Sequence, residues 1–347
     1  MMKAFYQAIL TMVAILLLAP IVTAGELTVP NSFSSGTAAV AAEVNDNFGA
    51  VKTAVDDNNN RIAALEATIA TLQATIATLQ TNLAGVQSNS VLALDGYLSY
   101  TVDPRGYATA QFAGVNVQVV NGVSQSTPNG LGNLIVGYNN PLTSGYQLCS
   151  DGQYVDQPTC EANGEIWALS HKTGSHNLVA GDGNSYSRTG GVVFGTQNAI
   201  NGIYASVTGG RENTARRDYS SITGGYRNNA KNLYSSISGG YGNSVAGIYT
   251  SVTGGYNNQA LATGSSISGG KDSIIYADGD YGSISGGQGG SVHGIYSSIS
   301  GGFANVVNSN YSSISGGSDN STSSTAPYSS ILGGQTQTTT SSYQTIP

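Results

Sequence analysis

The chain has 347 residues, of which 47 are Gly and 21 are Tyr; only 9% are charged, and the net charge is -7. An ordinary enzyme domain carries about a quarter charged residues, collagen needs Gly at every third position, and disordered chains avoid aromatic residues. The chain fits none of these classes, and an ordered repeat protein remains.

Residues 1–24 have the pattern of an export signal. Lys3 precedes a short apolar stretch from Ala8 to Leu18, and Val22-Thr23-Ala24 forms a small-residue cleavage site. We expect this segment to be removed, residues 25–40 to form a leader, and the mature chain to have no integral membrane segment. Without Lys3, 11 basic residues face 19 acidic ones, which argues against nucleic acid as a partner.

Residues 41–90 carry apolar residues at alternating intervals of four and three, which predicts a parallel coiled coil. The a and d positions of its regular part hold Ile62, Leu65, Ile69, Leu72, Ile76 and Leu79. Ile at a with Leu at d favours two strands, whereas the scarcity of charges at e and g and the many Ala residues beside the seam favour a higher oligomer. The local pattern leaves dimer and trimer open.

Asn58 falls at a d position, between Val55 and Ile62. A buried Asn costs stability but fixes the register of the chains, because misaligned amides would stay unpaired. In a trimer, three such amides would point at the axis and could hold an anion. A frayed hinge in this polar stretch is the alternative.

Residues 91–130 are interpreted as a β junction between the helix and the repeats, with strands expected at Val91–Leu94 and Ala108–Val120. Residues 143–170 then interrupt the repeats. This insertion contains Cys149 and Cys160, and we expect them to form a disulfide, since disulfides persist in exported proteins.

Residues 131–335 are predicted to form a β-solenoid with coils of about 15 residues. A Gly-Gly pair recurs every 15 or 17 residues, with its second Gly at 210, 225, 240, 255, 270, 287, 302, 317 and 334. The alternation before each pair places one aliphatic residue inward. These residues are Val207, Ile222, Ile237, Val252, Ile267, Ile284, Ile299, Ile314 and Ile331. Residues 336–347 are expected to be a polar tail.

Two further columns accompany the repeat. Asn recurs three residues after the second Gly, where stacked amides can bridge successive coils. Tyr precedes the inward aliphatic residue by three positions, except where Gly264 replaces it. The column consists of Tyr204, Tyr219, Tyr234, Tyr249, Tyr281, Tyr296, Tyr311 and Tyr328. A Tyr ladder can be a structural spine or a contact surface for a ligand, and we favour the spine.

The repeats resemble the YadA-like head of trimeric autotransporter adhesins. The matching residues run from Ser206-Val207-Thr208-Gly209-Gly210 to Ile331-Leu332-Gly333-Gly334. This resemblance implies a left-handed parallel β-roll that forms a homotrimer, exported to the surface of a Gram-negative-type bacterium or beyond it. The segment with Asn58 at d is similar to the family's stalks, where Asn at d can coordinate chloride. In this chain the coiled coil precedes the roll, and the polar tail stands where the family has membrane strands.

The sequence contains no catalytic cluster, cofactor motif or metal site that we recognise. His171, His176 and His293 are interpreted as surface residues, and the many Ser residues have no base beside them. We therefore expect a non-enzymatic, adhesin-like or structural protein whose partner is a surface, glycan or matrix ligand. The alternative is a solenoid that binds ice or another crystalline surface through two files of Ser and Thr hydroxyls, about 7 Å apart.

Overall fold

The computed structural model describes residues 27–89, 94–142 and 145–347. The predicted export signal and the predicted strand at residues 91–93 lie outside these ranges. Within the chain, contacts define two compact units, one ending at Asn116 and the other beginning at Val117.

The first unit contains a long helix and a hairpin. Helix α1 spans Ala41–Gln87, and strands β1 (Leu98–Val102) and β2 (Ala108–Phe112) pair antiparallel. The strand predicted as far as Val120 ends at Phe112. Its partner strand begins at Leu98, which pairs with Phe112, and Gly114 then turns the chain with a φ of 70°.

Helix α1 has 47 residues and buries none of its side chains within the single chain. It is also long and apolar enough, by length and composition alone, to cross a membrane. The Ala- and Thr-rich stretch of residues 67–87, which contains no charged residue, gives the helix this character. Length and composition alone do not test membrane insertion, so the expectation that the mature chain has no integral membrane segment stays a prediction.

The second unit is a parallel β-solenoid built on two sheets. The 13-stranded sheet contains β3 (Leu134–Val136), β6 (Leu178–Asp182), β8 (Val192–Thr196), β10 (Ser206–Val207), β12 (Ser221–Ile222), β14 (Ser236–Ile237), β16 (Ser251–Val252), β18 (Ser266–Ile267), β20 (Ser283–Ile284), β22 (Ser298–Ile299), β24 (Ser313–Ile314), β26 (Ser330–Ile331) and β28 (Thr345–Ile346). The 11-stranded sheet contains β7 (Ser185–Tyr186), β9 (Ala199–Ile200), β11 (Thr214–Ala215), β13 (Asn229–Ala230), β15 (Ser244–Val245), β17 (Gln259–Ala260), β19 (Ile274–Ile275), β21 (Ser291–Val292), β23 (Val306–Val307), β25 (Ser321–Thr322) and β27 (Thr338–Thr339).

Successive coils pair in a register that places like residues over like. Ser221 and Ile222 pair with Ser206 and Val207 of the coil before, and the same match repeats along the sheet. All nine aliphatic residues predicted to point inward are 0–1% exposed, so the solenoid and its core are confirmed. A second buried column faces them from the other sheet: Ala215, Ala230, Val245, Ala260, Ile275, Val292 and Val307, followed by Thr322 and Thr339.

The solenoid extends beyond Gln335, where the sequence analysis placed a polar tail. Strands β27 and β28 continue the two sheets as far as Ile346. The prediction failed because Thr339 fills an inward position usually held by an aliphatic residue, although it is fully buried. Ile346 and Tyr343 lie 15 residues after Ile331 and Tyr328, and this spacing was the available signal.

The insertion is a small folded element docked on the early coils. It contains β4 (Leu148–Cys149), α2 (Gln157–Ala162) and β5 (Trp167–Ala168), with β4 and β5 antiparallel. Cys149 and Cys160 form the predicted disulfide and are fully buried. Arg188 of an early coil binds Asp151 at 2.6 Å and Glu165 at 2.9 Å, which fixes the insertion to the solenoid.

Candidate functional surface

The Tyr column forms a ladder of stacked rings along one corner of the solenoid. Ring centroids of consecutive Tyr residues lie 4.9–5.6 Å apart, within the range of favourable aromatic pairs. The ladder includes all eight predicted residues and one that the sequence analysis missed, Tyr343, which stacks on Tyr328 at 5.0 Å. The spine interpretation therefore describes this geometry well, because most ring faces contact each other.

Each Tyr of the ladder adopts a left-handed backbone conformation, with φ between 53° and 61°. This conformation is uncommon for residues other than Gly. Gly264, at the one position without Tyr, has a φ of 65° and so keeps the same corner. The corner geometry is thus uniform, and only the ring is missing at Gly264.

What the ladder presents to solvent is a row of ring edges and phenol hydroxyls. Seven of its residues, all except Tyr249 and the terminal Tyr343, are between 45% and 55% exposed. Because the faces are largely covered, the exposed row offers mostly hydrogen-bonding groups about one coil spacing apart. Such a row can bind an extended polar ligand by hydrogen bonds without catalysing a reaction on it.

The Asn column lies inside a neighbouring corner and is confirmed as a bridge between coils. The Nδ2 of Asn228 donates to the carbonyl oxygen of Gly224 in its own coil and to that of Gly240 in the next, both at 3.0 Å. Its Oδ1 accepts from the backbone N–H of Asn243 at 3.0 Å. The column is interrupted at Ser273 and Gly290.

A second, shorter aromatic stack escaped the sequence analysis. Tyr226, Tyr241 and Tyr256 follow the second Gly of their coils, and the rings of Tyr241 and Tyr256 stack at 4.9 Å. Arg227 lies over the ring of Tyr226 at 4.9 Å, and its hydrogen bond to Glu212 lowers the pKa of that carboxyl. The available signal was the Tyr that follows Gly-Gly in three successive coils.

The outer face of the 13-stranded sheet carries the two predicted hydroxyl files. The file of Ser206 and its equivalents is half-buried, whereas the file of Thr208 and its equivalents is exposed. Leu332 ends the exposed file. The in-register pairing of the strands keeps both files straight.

The histidines are less exposed than predicted. His171 is 3% exposed, its Nε2 lies 2.9 Å from the carbonyl oxygen of Leu148, and burial lowers its pKa. The surface interpretation of His171 is therefore wrong, because the docked insertion covers it. His176 borders a cavity of about 560 Å³ whose lining also includes residues 118–125 and Tyr204.

Lys172 directly follows His171 in sequence and packs against the first coils. Its Nζ is 2.7 Å from the Oδ1 of Asn139 and 5.3 Å from the ring centroid of Tyr186. Burial lowers the pKa of Lys172 to about 8. This half-buried position has no counterpart in the repeat pattern, so no sequence pattern predicts it.

Within the described ranges, no three His, Cys, Asp or Glu side chains come together as metal ligands could. Asn58 lies on α1 and is exposed in the single chain, so its role as an anion ligand stays a prediction. Comparison of the chain with protein-family models and with curated proteins finds no match in either.

Proposed function

We propose that this protein is an exported, non-enzymatic surface protein in which three copies present parallel solenoids for attachment to a glycan or matrix ligand. The observation that carries the proposal is the unpartnered apolar seam of α1. Apolar side chains along the seam, such as Phe48, Leu65 and Ile69, are more than half exposed in the single chain.

The seam needs a partner along its whole length. A helix of 47 residues is about 70 Å long, so a small domain cannot cover it. The heptad spacing matches the geometry of a second and third copy of the same helix. A bilayer is a poorer match because Gln73, Gln80 and Asn82 interrupt the apolar surface and would be costly in hydrocarbon.

A column of glycines supports contact between copies along the solenoid. A Cβ added to the first Gly of most pairs, for example Gly239 or Gly254, would meet no atom within 4 Å, and these glycines avoid the left-handed region. Nothing within one chain therefore requires Gly at these positions. Close approach of another copy would require it.

The proposed export follows from the pattern of residues 1–24, and attachment is supported by the exposed ladder of phenol hydroxyls. The proposed trimer also agrees with the YadA-like resemblance of the repeats. In that trimer Asn58 amides from three helices would surround an anion such as chloride.

The first test is the oligomeric mass of the mature chain by sedimentation equilibrium. We expect a trimer, and Ile69→Asp with Ile76→Asp should reduce it to monomer while the β-sheet signal in circular dichroism persists. A monomeric wild-type chain would contradict the assembly. Attachment is then measured on immobilised glycans and matrix proteins, and absence of binding to every surface would contradict the function.

Ice binding remains the second candidate, because the exposed hydroxyl file is straight and repeats at the coil spacing of about 4.8 Å. Regularly spaced hydroxyls on a flat sheet can order water. Thermal hysteresis of the purified chain measures this directly, and Thr253→Arg in the centre of the file should abolish it. No hysteresis in the wild-type chain would exclude this candidate.

A further inference from the structure

The Tyr ladder is interrupted at one coil, and the interruption lies in the side chains alone. Gly264 donates its backbone N–H to the carbonyl oxygen of Ile248 at 2.9 Å, and Tyr281 donates to that of Thr263 at 2.9 Å. The backbone hydrogen bonds between coils therefore continue through this position. Tyr249 and Tyr281, on either side, are left without a ring between them.

The size of the gap follows from the coil spacing. Tyr249 and Tyr281 are two coils apart, which corresponds to about 10 Å at about 4.8 Å for each coil. Stacked rings in this ladder have centroids 4.9–5.6 Å apart. The two coil spacings between the backbones are thus wide enough for one ring, and the ring of Tyr281 leans into part of that width.

One face of Tyr249 is exposed to the gap. Tyr249 is 66% exposed, compared with 45–55% for the other internal rings, and only the terminal Tyr343, at 76%, is more exposed in the ladder. The ring of Tyr281 instead leans over Gly264: a Cβ added to Gly264 would lie 2.6 Å from the ring of Tyr281. Tyr249 therefore forms the open wall of the gap, and the ring of Tyr281 covers Gly264 on the other side.

Other features of the repeat change at the same coils. The Asn column is interrupted at Ser273 and Gly290, and two extra residues enter the loop before Tyr281. In that loop, Tyr276 stacks on His293 at 4.0 Å and Asp278 lies 3.3 Å from the same His. The coils from 264 to 293 thus differ from the uniform coils before them, as expected of a site rather than of a spacer.

We propose that the gap at Gly264 binds one hexose ring of a neutral polysaccharide, stacked on the open face of Tyr249 and bordered by Tyr281. The proposal rests on the proposed attachment function and identifies its ligand class and contact point. Weakly positive C–H groups on the face of a sugar ring suit the negative face of the Tyr249 ring. Hydroxyls on the sugar rim would remain in water or bond the neighbouring phenols.

The chemistry of the surroundings favours a sugar over an aromatic side chain. The ladder presents its edges to solvent, so the outer rim of any occupant also faces water. A hexose presents hydroxyls there, whereas a phenyl or indole group would leave an apolar edge exposed. The ladder positions themselves carry no charge, and beside the gap the Oδ1 of Asp280 accepts from the backbone N–H of Thr263 at 2.9 Å, which favours a neutral ligand over an anionic one.

The test uses the full mature chain with cellotetraose, chitotetraose and a β-1,4-linked galactotetraose as probes. Binding of each probe is detected by saturation-transfer NMR, and its affinity is measured by titration. We expect at least one tetrasaccharide to bind the wild-type chain. Gly264→Tyr, which supplies the missing ring, should reduce affinity about tenfold or more, and Tyr249→Ala, which removes the open wall, should do the same. Tyr249→Ala serves as the second variant if Gly264→Tyr does not fold.

A gain-of-site variant provides the matched control. Tyr311→Gly opens an equivalent gap between Tyr296 and Tyr328 at a corner where Gly is conformationally favoured. It should raise the number of bound tetrasaccharides per chain from one to two. Unchanged affinity in both loss variants would overturn the proposal.

Two other results would also overturn it. If the wild-type chain binds no tetrasaccharide but still attaches to an immobilised surface, the attachment function stands and the site does not. If N-acetyl-tryptophanamide alone binds, the occupant is an aromatic side chain. Failure of the wild-type chain to attach to any surface would instead contradict the proposed function, whatever the probes show.

Discussion

Asn228 holds Asn243, one coil further on, through a hydrogen bond of 3.0 Å from the backbone N–H of Asn243 to the Oδ1 of Asn228. The same arrangement recurs between Asn243 and Asn258 at 2.9 Å. Each buried amide therefore bonds backbone groups of its own coil and of the next coil. The corner between the two sheets depends on this column.

Asn243→Ala should destabilise the solenoid by about 2–4 kcal/mol. The variant loses the bonds from Nδ2 to Gly239 and Gly255 and leaves the buried N–H of Asn258 without its partner. Urea unfolding followed by circular dichroism measures the loss. The control is Asn257→Ala, an exposed neighbour, which should cost less than about 1 kcal/mol; equal losses in the two variants would contradict the role of the column.

Gly240→Ala should destabilise the single chain, whereas Gly239→Ala should change its stability little, although the two residues are adjacent. A Cβ at Gly240 would lie 2.3 Å from the carbonyl oxygen of Gly255, and Gly240 has a φ of 91°, so we expect a loss of about 3 kcal/mol or more. A Cβ at Gly239 meets nothing in its own chain. The melting temperature of the monomeric Gly239→Ala variant should therefore differ little from that of the monomeric wild-type chain.

The proposed assembly predicts a second effect at Gly239. Gly239→Ala combined with Gly254→Ala should weaken association of the copies, which sedimentation velocity over a dilution series detects. An unchanged association constant in this double variant would argue that the glycine column faces solvent and not another copy.

Replacement of both Cys149 and Cys160 by Ser should loosen the insertion and leave the repeats intact. A disulfide closing a loop of this length contributes about 3 kcal/mol. Hydrogen exchange should rise within residues 148–168 and stay unchanged from Ile222 onward. Reducing agent should act likewise on the wild-type chain and have no effect on the variant; a spread of exchange into the repeats would contradict this.

The stability of the early coils should rise with pH above pH 8. Burial lowers the pKa of Lys172 to about 8 from its ordinary 10.5, so between these values the unfolded chain binds more protons than the folded chain. The free energy of unfolding consequently increases with pH in that window. It is measured by urea unfolding at pH 7.5, 8.5 and 9.5, below the main titration of tyrosine.

Lys172→Met is the control for the pH effect. It should be less dependent on pH than the wild-type chain, although Lys231, whose pKa burial also lowers, keeps part of the slope. Equal slopes in the two proteins would show that Lys172 does not cause the effect.

The sequence by itself determined the solenoid, its core and its two columns. In a solenoid each coil contacts only the coils before and after it, so a period in sequence becomes a period in space. The spacing of Val207, Ile222 and Ile237 therefore predicted both their burial and their register. The spacing of 15 residues would also have predicted Tyr343 and Ile346, had composition not been taken as the sign of a tail.

The tertiary structure alone decided what lies outside this period. His171 is buried and Lys172 half-buried because the insertion and the first coils cover them, and no local pattern encodes that contact. Gly239 and Gly240 are identical letters in the sequence, yet only Gly240 is crowded by the next coil. Likewise, Gly264 is one more glycine until the folded chain shows that it leaves one face of Tyr249 open, because contacts between coils exist only after the chain has folded.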